Sequence, residues 1–518
     1  MTTSQTADGP MQEKVFAFLA DPVRHPEVHR IDTHAASVFL AGNRALKIKR
    51  AVRFPYLDYS TLAKRQVACE EEIKVNRPFA PQIYRRVVPI TLGADGSLDI
   101  DGDGTPVEFA VEMARFDERQ TMDHLAEAAP PDPEIVRAIA DAIAASHAVA
   151  APAPAEPWID SVLPIIADNT EAFRAASCIS AGEIDRLDRA SRSAFLAVRG
   201  LLARRGRRGF VRRCHGDLHL ANIVVIEGRP VLFDAIEFDA TIASVDVLYD
   251  LAFPMMDFVQ RGQHAAANTL LNRYLSATSS DNIDSLAALP LFMSLRAAIR
   301  AKVLLARVGR ISDDTAAAMR QVRSYFELAQ QLIQPSVPTL VAVGGLSGTG
   351  KSVLARTLAP DIRPRPGAVV LRTDVLRKEL FKANERDRLP ESNYRSEIAE
   401  QVYEMIAERA ERILSQGHSV VVDAVFAREP ERKKISDVAE RLSIRMVGVF
   451  LVTDMATRLT RIGMRKNDAS DATPAIAALQ ENYDLGAIDW AVVDASGTPE
   501  QTLTRCQNHF TTDPEPFS

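Results

Sequence analysis

Residues 345–352 read GLSGTGKS, a glycine loop of the form G-x-x-x-x-G-K-S, and this stretch restricts the fold more sharply than any other. The apolar run TLVAVG precedes it and the helical run SVLARTLA follows it. A strand feeding a glycine loop that opens a helix is the geometry in which backbone N–H groups wrap a phosphate at a helix N-terminus. Gly345, Leu346, Ser347, Gly348, Thr349 and Gly350 would form that wrap, Lys351 would reach the β- and γ-phosphates of ATP, and the Ser352 hydroxyl would ligate Mg²⁺. Downstream, SVVVDAVF and IRMVGVFLVTD are apolar strand-like runs separated by helical stretches, which predicts a parallel α/β sheet. Asp423 follows the apolar SVVV of the first run, at the end of its strand, where a carboxylate assists the metal.

Two more elements of this half carry candidate chemistry. In VVLRTDVLRKEL, Asp374 follows a strand and Arg377 lies one helical turn later on the same face. Asp374 either faces an acceptor hydroxyl or caps the helix. In ATRLTRIGMRKNDASDAT, Arg458, Arg461 and Arg465 suit a lid closing on phosphates, or an ordinary solvated helix. Arg461 and Arg465, one turn apart, are the candidates for the lid.

A second constellation sits earlier, in HGDLHLANIVVIEGRPVLFDAIEFD. Asn222 follows Asp217 by five residues, a hairpin turns at EGR, and Asp234 comes directly after the apolar VLF. Three oxygen-bearing side chains thereby return to one end of a hairpin. Phosphoryl transfer needs such a set: Asp217 to orient or deprotonate the attacking hydroxyl, Asn222 and Asp234 to hold Mg²⁺ against the nucleotide. The spacing matches the protein-kinase pattern of catalytic Asp, Asn and metal-binding Asp. Upstream, VHRIDTHAASVFLAGNRALKIKR alternates around the turn AGN and predicts a hairpin with Lys47 and Lys49 on one strand face.

The HGD…N…D form resembles the aminoglycoside-phosphotransferase and choline-kinase branch of the kinase fold. Together with THAASVFLAGNRALKIKR, CEEEIKVNR, FDAIEFD and DVLYDLAF, it resembles the N-terminal half of bacterial bifunctional aminoglycoside-phosphotransferase-like and ATP-binding proteins, over roughly residues 28–330. The THAAS loop departs from that pattern. By position, the resemblance implies that Lys47 reaches the α/β-phosphates and Glu72 pairs with it, with Lys49, Glu70 and Glu71 as alternates. It also implies that VEFAVEM, ending at Met113, connects the lobes beside the adenine. The second half, about 338–510, is similar to the P-loop portion of the same family, an AAA-family, zeta-toxin-like or gluconate-kinase-like domain, in which the Asp of D-x-x-R faces the acceptor. His147 ends a helix stripe and is assigned no chemistry.

These readings give a multidomain α/β and α+β chain. An N-terminal extension (1–27) precedes a two-lobed protein-kinase-like domain (28–335, lobes dividing near 115), and a P-loop domain with a parallel sheet (336–518) follows. At 518 residues the chain exceeds one ordinary core. A net charge of −6 argues against a coat for nucleic acid or anionic membrane, and the basic run RRGRRGFVRR at 204–213 reads as a helix C-terminus. The four scattered cysteines and the absence of a secretory pattern in MTTSQTADGPMQEKVFAFL lead to an expected cytoplasmic location. The expected function is a tandem ATP-dependent phosphotransferase acting on hydroxyls of small molecules such as sugars, aminosugars or nucleotide-sugars. The alternatives are a regulatory protein in which one module gates the other, and a zeta-toxin-like kinase restrained by its N-terminal domain. The sequence specifies neither acceptor, nor an oligomeric state.

Overall fold

The computed structural model describes residues 9–25, 27–54, 57–176, 178–307, 315–464 and 469–509. The chain forms two compact units that do not follow chain order: Met1–Ile165 with Arg199–Asp257, and Ile166–Val198 with Phe258–Ser518.

The first unit is built on a six-stranded antiparallel sheet. Its order is His29–Asp32, Ala36–Ala41, Arg44–Lys49, Thr105–Ala114, Tyr84–Leu92, Leu98–Ile100. The strands Ala36–Ala41 and Arg44–Lys49 turn at Gly42, whose φ of +56° suits a residue without Cβ. Strand alternation then divides the side chains between two faces. Phe39, Leu46, Ile48, Val88 and Ile90 bury against Val15, Phe16 and Leu19 of the helix Gly9–Leu19. Cys69, Tyr84, Val111, Val224 and Val231 form a second core with the helix Leu62–Asn76 and the hairpin Ile223–Ile226/Arg229–Leu232. Thr61 caps that helix by accepting from Lys64 N. Glu227 and Gly228, both at positive φ, make the hairpin turn whose twist matches its strands. The basic run is largely committed internally: Arg205 is buried on Asp246, and Arg212 donates to the carbonyls of His147, Ala148 and Ala150.

The second unit contains a five-stranded parallel sheet of order Val369–Arg372, Val420–Asp423, Thr339–Gly345, Arg445–Val452, Ala491–Asp494. Its central strands are apolar on both faces, as a sheet covered by helices requires. Val341, Val343, Val421, Val449 and Leu451 pack on Leu354 and Leu358 of the helix Lys351–Leu358. The register brings Val343 beside Asp423, so the loop after the first strand and the carboxylate lie at one end of the sheet. The helices His264–Ala277, Leu289–Arg307 and Thr315–Ile333 belong to this unit. Among the described residues no helix is long and apolar enough to cross a membrane.

Candidate active sites

In the first unit, two lysines of one strand converge on one carboxylate. Lys47 Nζ lies 2.8 Å from Glu72 Oε1 and 2.5 Å from Asp234 Oδ1; Lys49 Nζ lies 2.5 Å from Glu72 Oε2 and pairs with Glu237. Glu72 is fully buried, whereas Glu70 accepts from Gln66 and Glu71 pairs with Lys74 on the exposed face of the same helix. Tyr59 Oη donates to Glu237 Oε1 at 2.9 Å. Burial works against the charge on Lys47, but Asp234 and Glu72 outweigh it and hold its pKa well above the ordinary value. Desolvation likewise opposes the charge on Asp234, and Lys47 prevails, keeping that carboxyl below the usual range.

The backbone around Asp234 is held at several points. Asp234 has φ +62°; its N–H donates to Tyr84 Oη at 3.0 Å. The Asn76 amide accepts from Ala235 N at 2.8 Å and donates to Ala235 O. Strain of this kind persists where its surroundings over-determine it.

The segment 215–222 is held from behind. Asp250, fully buried, accepts from His215 N and Gly216 N at 3.2 and 2.9 Å and lies 3.2 Å from His147 Nε2. Gly216 has φ +82°, and a Cβ there would meet Ile236 Cδ1 at 3.0 Å and Ala243 Cα at 3.2 Å, so a larger residue is strained in its backbone and tight against both neighbours. This turn leaves the Asp217 side chain about half exposed, with His219 Nε2 3.4 Å from its Oδ2. Asn222 Nδ2 donates to Asp217 O, which turns its amide and leaves Oδ1 as its ligand atom. Asp234, Glu72 and Glu237 thus set three carboxylates against Lys47 and Lys49, and Asp217 lies near enough to Asp234 to oppose its charge. Asp234 and Asp217, two carboxylates that act on each other's charge, are hard oxygen donors of the kind a divalent cation takes. Met113 is the penultimate residue of the strand Thr105–Ala114, its side chain packed against the second core.

In the second unit the glycine loop opens the helix Lys351–Leu358 and borders a cavity of about 680 Å³ lined also by Asp374, Arg377, Asp423 and Arg461. Gly348 has φ +90°, and a Cβ there would lie 2.7 Å from Arg458 O, so the close approach of these two segments requires glycine. Lys351 Nζ donates to Leu346 O at 3.1 Å. Ser352 Oγ donates to Asp423 Oδ2 at 2.5 Å, and Arg372 donates to both, Nε to Asp423 Oδ2 and Nη2 to Ser352 Oγ, each at 3.1 Å. A hydroxyl and a carboxylate oxygen meeting there fit Mg²⁺ as a hard cation. Arg461 donates to Thr349 O, Ala495 O and Gly497 O, fastening the loop to the turn after the last strand. Arg458 is buried on Ser347 O, Ala477 O and Glu481. Arg465 lies outside the described residues.

Asp374 occupies the first turn of the helix Thr373–Leu380, with Arg377 Nη1 3.7 Å from its Oδ1. The Arg377 guanidinium stands 4.6 Å from the Tyr394 ring centroid. Tyr394 Oη donates to Asp471 Oδ2 at 2.5 Å; Asp471 also accepts from Leu389 N and pairs with buried Lys378. Sequence reasoning passed over Asp250, Glu237, Arg372, Tyr394 and Asp471. Arg372 stood two residues before Asp374 and Asp471 within the stretch read for its arginines, but their partners are far along the chain.

Residues 52–289 match the model of the phosphotransferase enzyme family, and residues 340–484 match that of an AAA domain. The chain joins a phosphotransferase-family domain to an AAA domain. An uncharacterized protein of Mycobacterium tuberculosis (strain ATCC 25618 / H37Rv) is 28% identical over 506 residues, 93% of this chain and 96% of the relative, so the alignment spans both domains. Among solved structures, a choline/ethanolamine kinase family protein from Mesorhizobium loti aligns with 62% of this chain and 95% of its own, at 14% identity and a TM-score of 0.39. A gluconokinase from Sinorhizobium meliloti 1021 aligns with 33% of this chain and 91% of its own, at 19% identity and a TM-score of 0.25. The residues matched by the phosphotransferase model include Glu72 and Asp234, with Lys47 on the strand just before the match, and those matched by the AAA model include the glycine loop.

Proposed function

We propose that the chain is a tandem kinase, in which each domain transfers the γ-phosphoryl group of ATP to a hydroxyl of a small molecule. The observation that carries this reading is the convergence of Lys47, Glu72 and Asp234 in one cleft, with Asp217 near enough to Asp234 to act on its charge and Asn222 bonded to the Asp217 carbonyl. In the phosphotransferase-family domain, Lys47 binds phosphate oxygens and Glu72 orients it. Asp217 accepts the proton of the acceptor hydroxyl as its oxygen bonds to the γ-phosphorus, while the bond to the β,γ-bridging oxygen breaks and ADP leaves. Asn222 and Asp234 hold Mg²⁺, which when bound neutralises phosphate charge. In the AAA domain, Lys351 binds phosphate, Ser352 and Asp423 hold the metal, Asp374 takes the acceptor proton, and Arg377 steadies the acceptor. Arg461, held on three carbonyls, keeps the loop in shape for the nucleotide.

The reading includes small-molecule acceptors as the only partners, and a cytoplasmic setting in which ATP is abundant. Its test is ADP release by the full chain with ATP, Mg²⁺ and pools of sugars, aminosugars and nucleotide-sugars. Asp217→Asn is expected to remove one acceptor-dependent activity by roughly 10²–10⁴-fold, as loss of a general base does. Lys351→Ala is expected to remove the other. Acceptor-independent hydrolysis alone, unaffected by Asp217→Asn, refutes transfer by the first domain.

A further inference from the structure

The helix His264–Ala277 falls within the phosphotransferase-family match, yet it shares a compact unit with the AAA domain. It runs beside the strand Val369–Arg372, which forms one edge of the parallel sheet. An edge strand leaves a row of N–H and C=O groups without strand partners. Along a parallel strand, successive residues direct these groups to opposite sides. Val369 N donates inward, to Ser419 O at 3.0 Å, so Ala368 and Val370 face outward. There the helix meets them: Asn272 Oδ1 accepts from Val370 N at 2.7 Å, and Asn272 Nδ2 donates to Ala368 O at 3.2 Å. Asn268 Nδ2 donates to the same carbonyl at 3.0 Å.

A carboxamide repeats the donor and acceptor of a peptide group. One turn of helix therefore presents, through Asn272, what a sixth strand would present to this edge. The approach is close enough that a Cβ on Gly367, at φ +115°, would lie 2.7 Å from Asn268 Nδ2. Arg273 with Glu385 at 3.1 Å, and Arg412 with Asp284 at 3.0 Å, fasten the flanks. Two residues beyond Val370, the same strand delivers Arg372, bonded to both Ser352 Oγ and Asp423 Oδ2, and then Asp374.

We propose that Asn272, supported by Asn268, is a positioning residue of the AAA-domain phosphate site. It fixes the edge strand along its length, and through that strand the place of Arg372 between Ser352 and Asp423. The phosphotransferase-family segment thus supplies part of the AAA domain's working structure, and the two domains share a helix rather than merely a linker.

The test uses the full chain and reads binding rather than transfer, so it is separable from the tandem-kinase reading. With Lys47→Met present, so that the AAA site is the reporter, a fluorescent ADP analogue with Mg²⁺ is expected to bind about tenfold more weakly to Asn272→Leu. Asn272→Asp, which keeps the acceptor for Val370 N, should give a smaller loss. With Lys351→Ala present instead, the remaining site should bind unchanged in both. Hydrogen exchange of the Val370 amide is expected to be about tenfold faster in Asn272→Leu. If Val370 exchange rises and nucleotide affinity at the AAA site stays within twofold, the proposal is overturned. Where the leucine variant does not fold, Asn272→Asp decides by the same pair of readouts. If no analogue binds the parent at the AAA site, the kinase reading of that domain fails; the exchange of the Thr373 and Asp374 amides then decides the positioning, and unchanged exchange overturns it.

Discussion

Lys49→Met removes one of two lysines from a cleft whose carboxylates outnumber them, and the structure sets both the size and the pH dependence of the effect. Lys49 and Glu237 have side chains 3% and 7% exposed, and Glu72 is 0% exposed, so their charges are not screened by water. Removing one partner of a buried pair costs about 3–5 kcal/mol, because it strands a charge. At about 2–4 °C per kcal/mol for a domain of 150–250 residues, the first unit's calorimetric transition should fall by roughly 6–20 °C at pH 8. In the native chain, burial opposes the Glu237 charge, but Lys49 and then Lys47 outweigh it and keep its pKa below the ordinary value. Its ionisation therefore adds stability above the unfolded pKa, which is lost as pH falls through the folded one. In the variant burial prevails and the pKa rises above the unfolded value. The sign then reverses: stability is present below the unfolded pKa and lost as pH rises. The deficit should accordingly shrink between pH 8 and pH 5, and Glu237→Gln in the variant should recover most of it at pH 8, since a neutral amide needs no lysine. An equal deficit at both pH values, with no recovery from Glu237→Gln, refutes the argument.

Asp471→Asn should raise the acceptor KM of the AAA domain about tenfold or more with a smaller change in kcat, because it leaves buried Lys378 without its carboxylate and releases Tyr394 from Arg377's flank. Tyr394→Phe, which loses only one hydrogen bond, should cost about 1 kcal/mol in the same kinetic constant. In the phosphotransferase-family domain, calorimetry with Lys351→Ala present should show ADP raising the first transition only with Mg²⁺. The rise should be worth about 2.7 kcal/mol at a hundredfold excess over Kd, and Asp234→Asn should remove it. A rise that survives EDTA would show that the carboxylate surplus does not act through a metal.

What the sequence made legible is chemistry that must be contiguous. A phosphate wrap needs its glycines, lysine and serine in one turn of chain, and a hairpin needs only ten residues to bring Asp234 back beside Asn222, so Lys351, Ser352, Asp217, Asn222 and Asp234 were nameable from spacing alone. The strand–loop–helix texture around 339–358 and the hairpin at Gly42 followed from period and turn residues in the same way. Partnerships across the chain carried no such signal. Lys49 meets Glu237 across 188 positions, and either residue alone reads as a solvated charge. Arg461 stood at a spacing that suits a lid, but spacing gives a direction and not a partner, and its guanidinium is bonded to three carbonyls. Asn268 and Asn272 lie in a helix with no motif, where an asparagine four residues from another invites no functional reading. Their meaning comes from the strand edge they face, and that edge exists only because a parallel sheet folded 98 residues later in the sequence. The two domain matches are separate along the chain, yet the bond from Val370 to Asn272 crosses between them. That is the physical reason a cut at residue 336 should expose the sheet edge, weakening the C-terminal domain rather than releasing it.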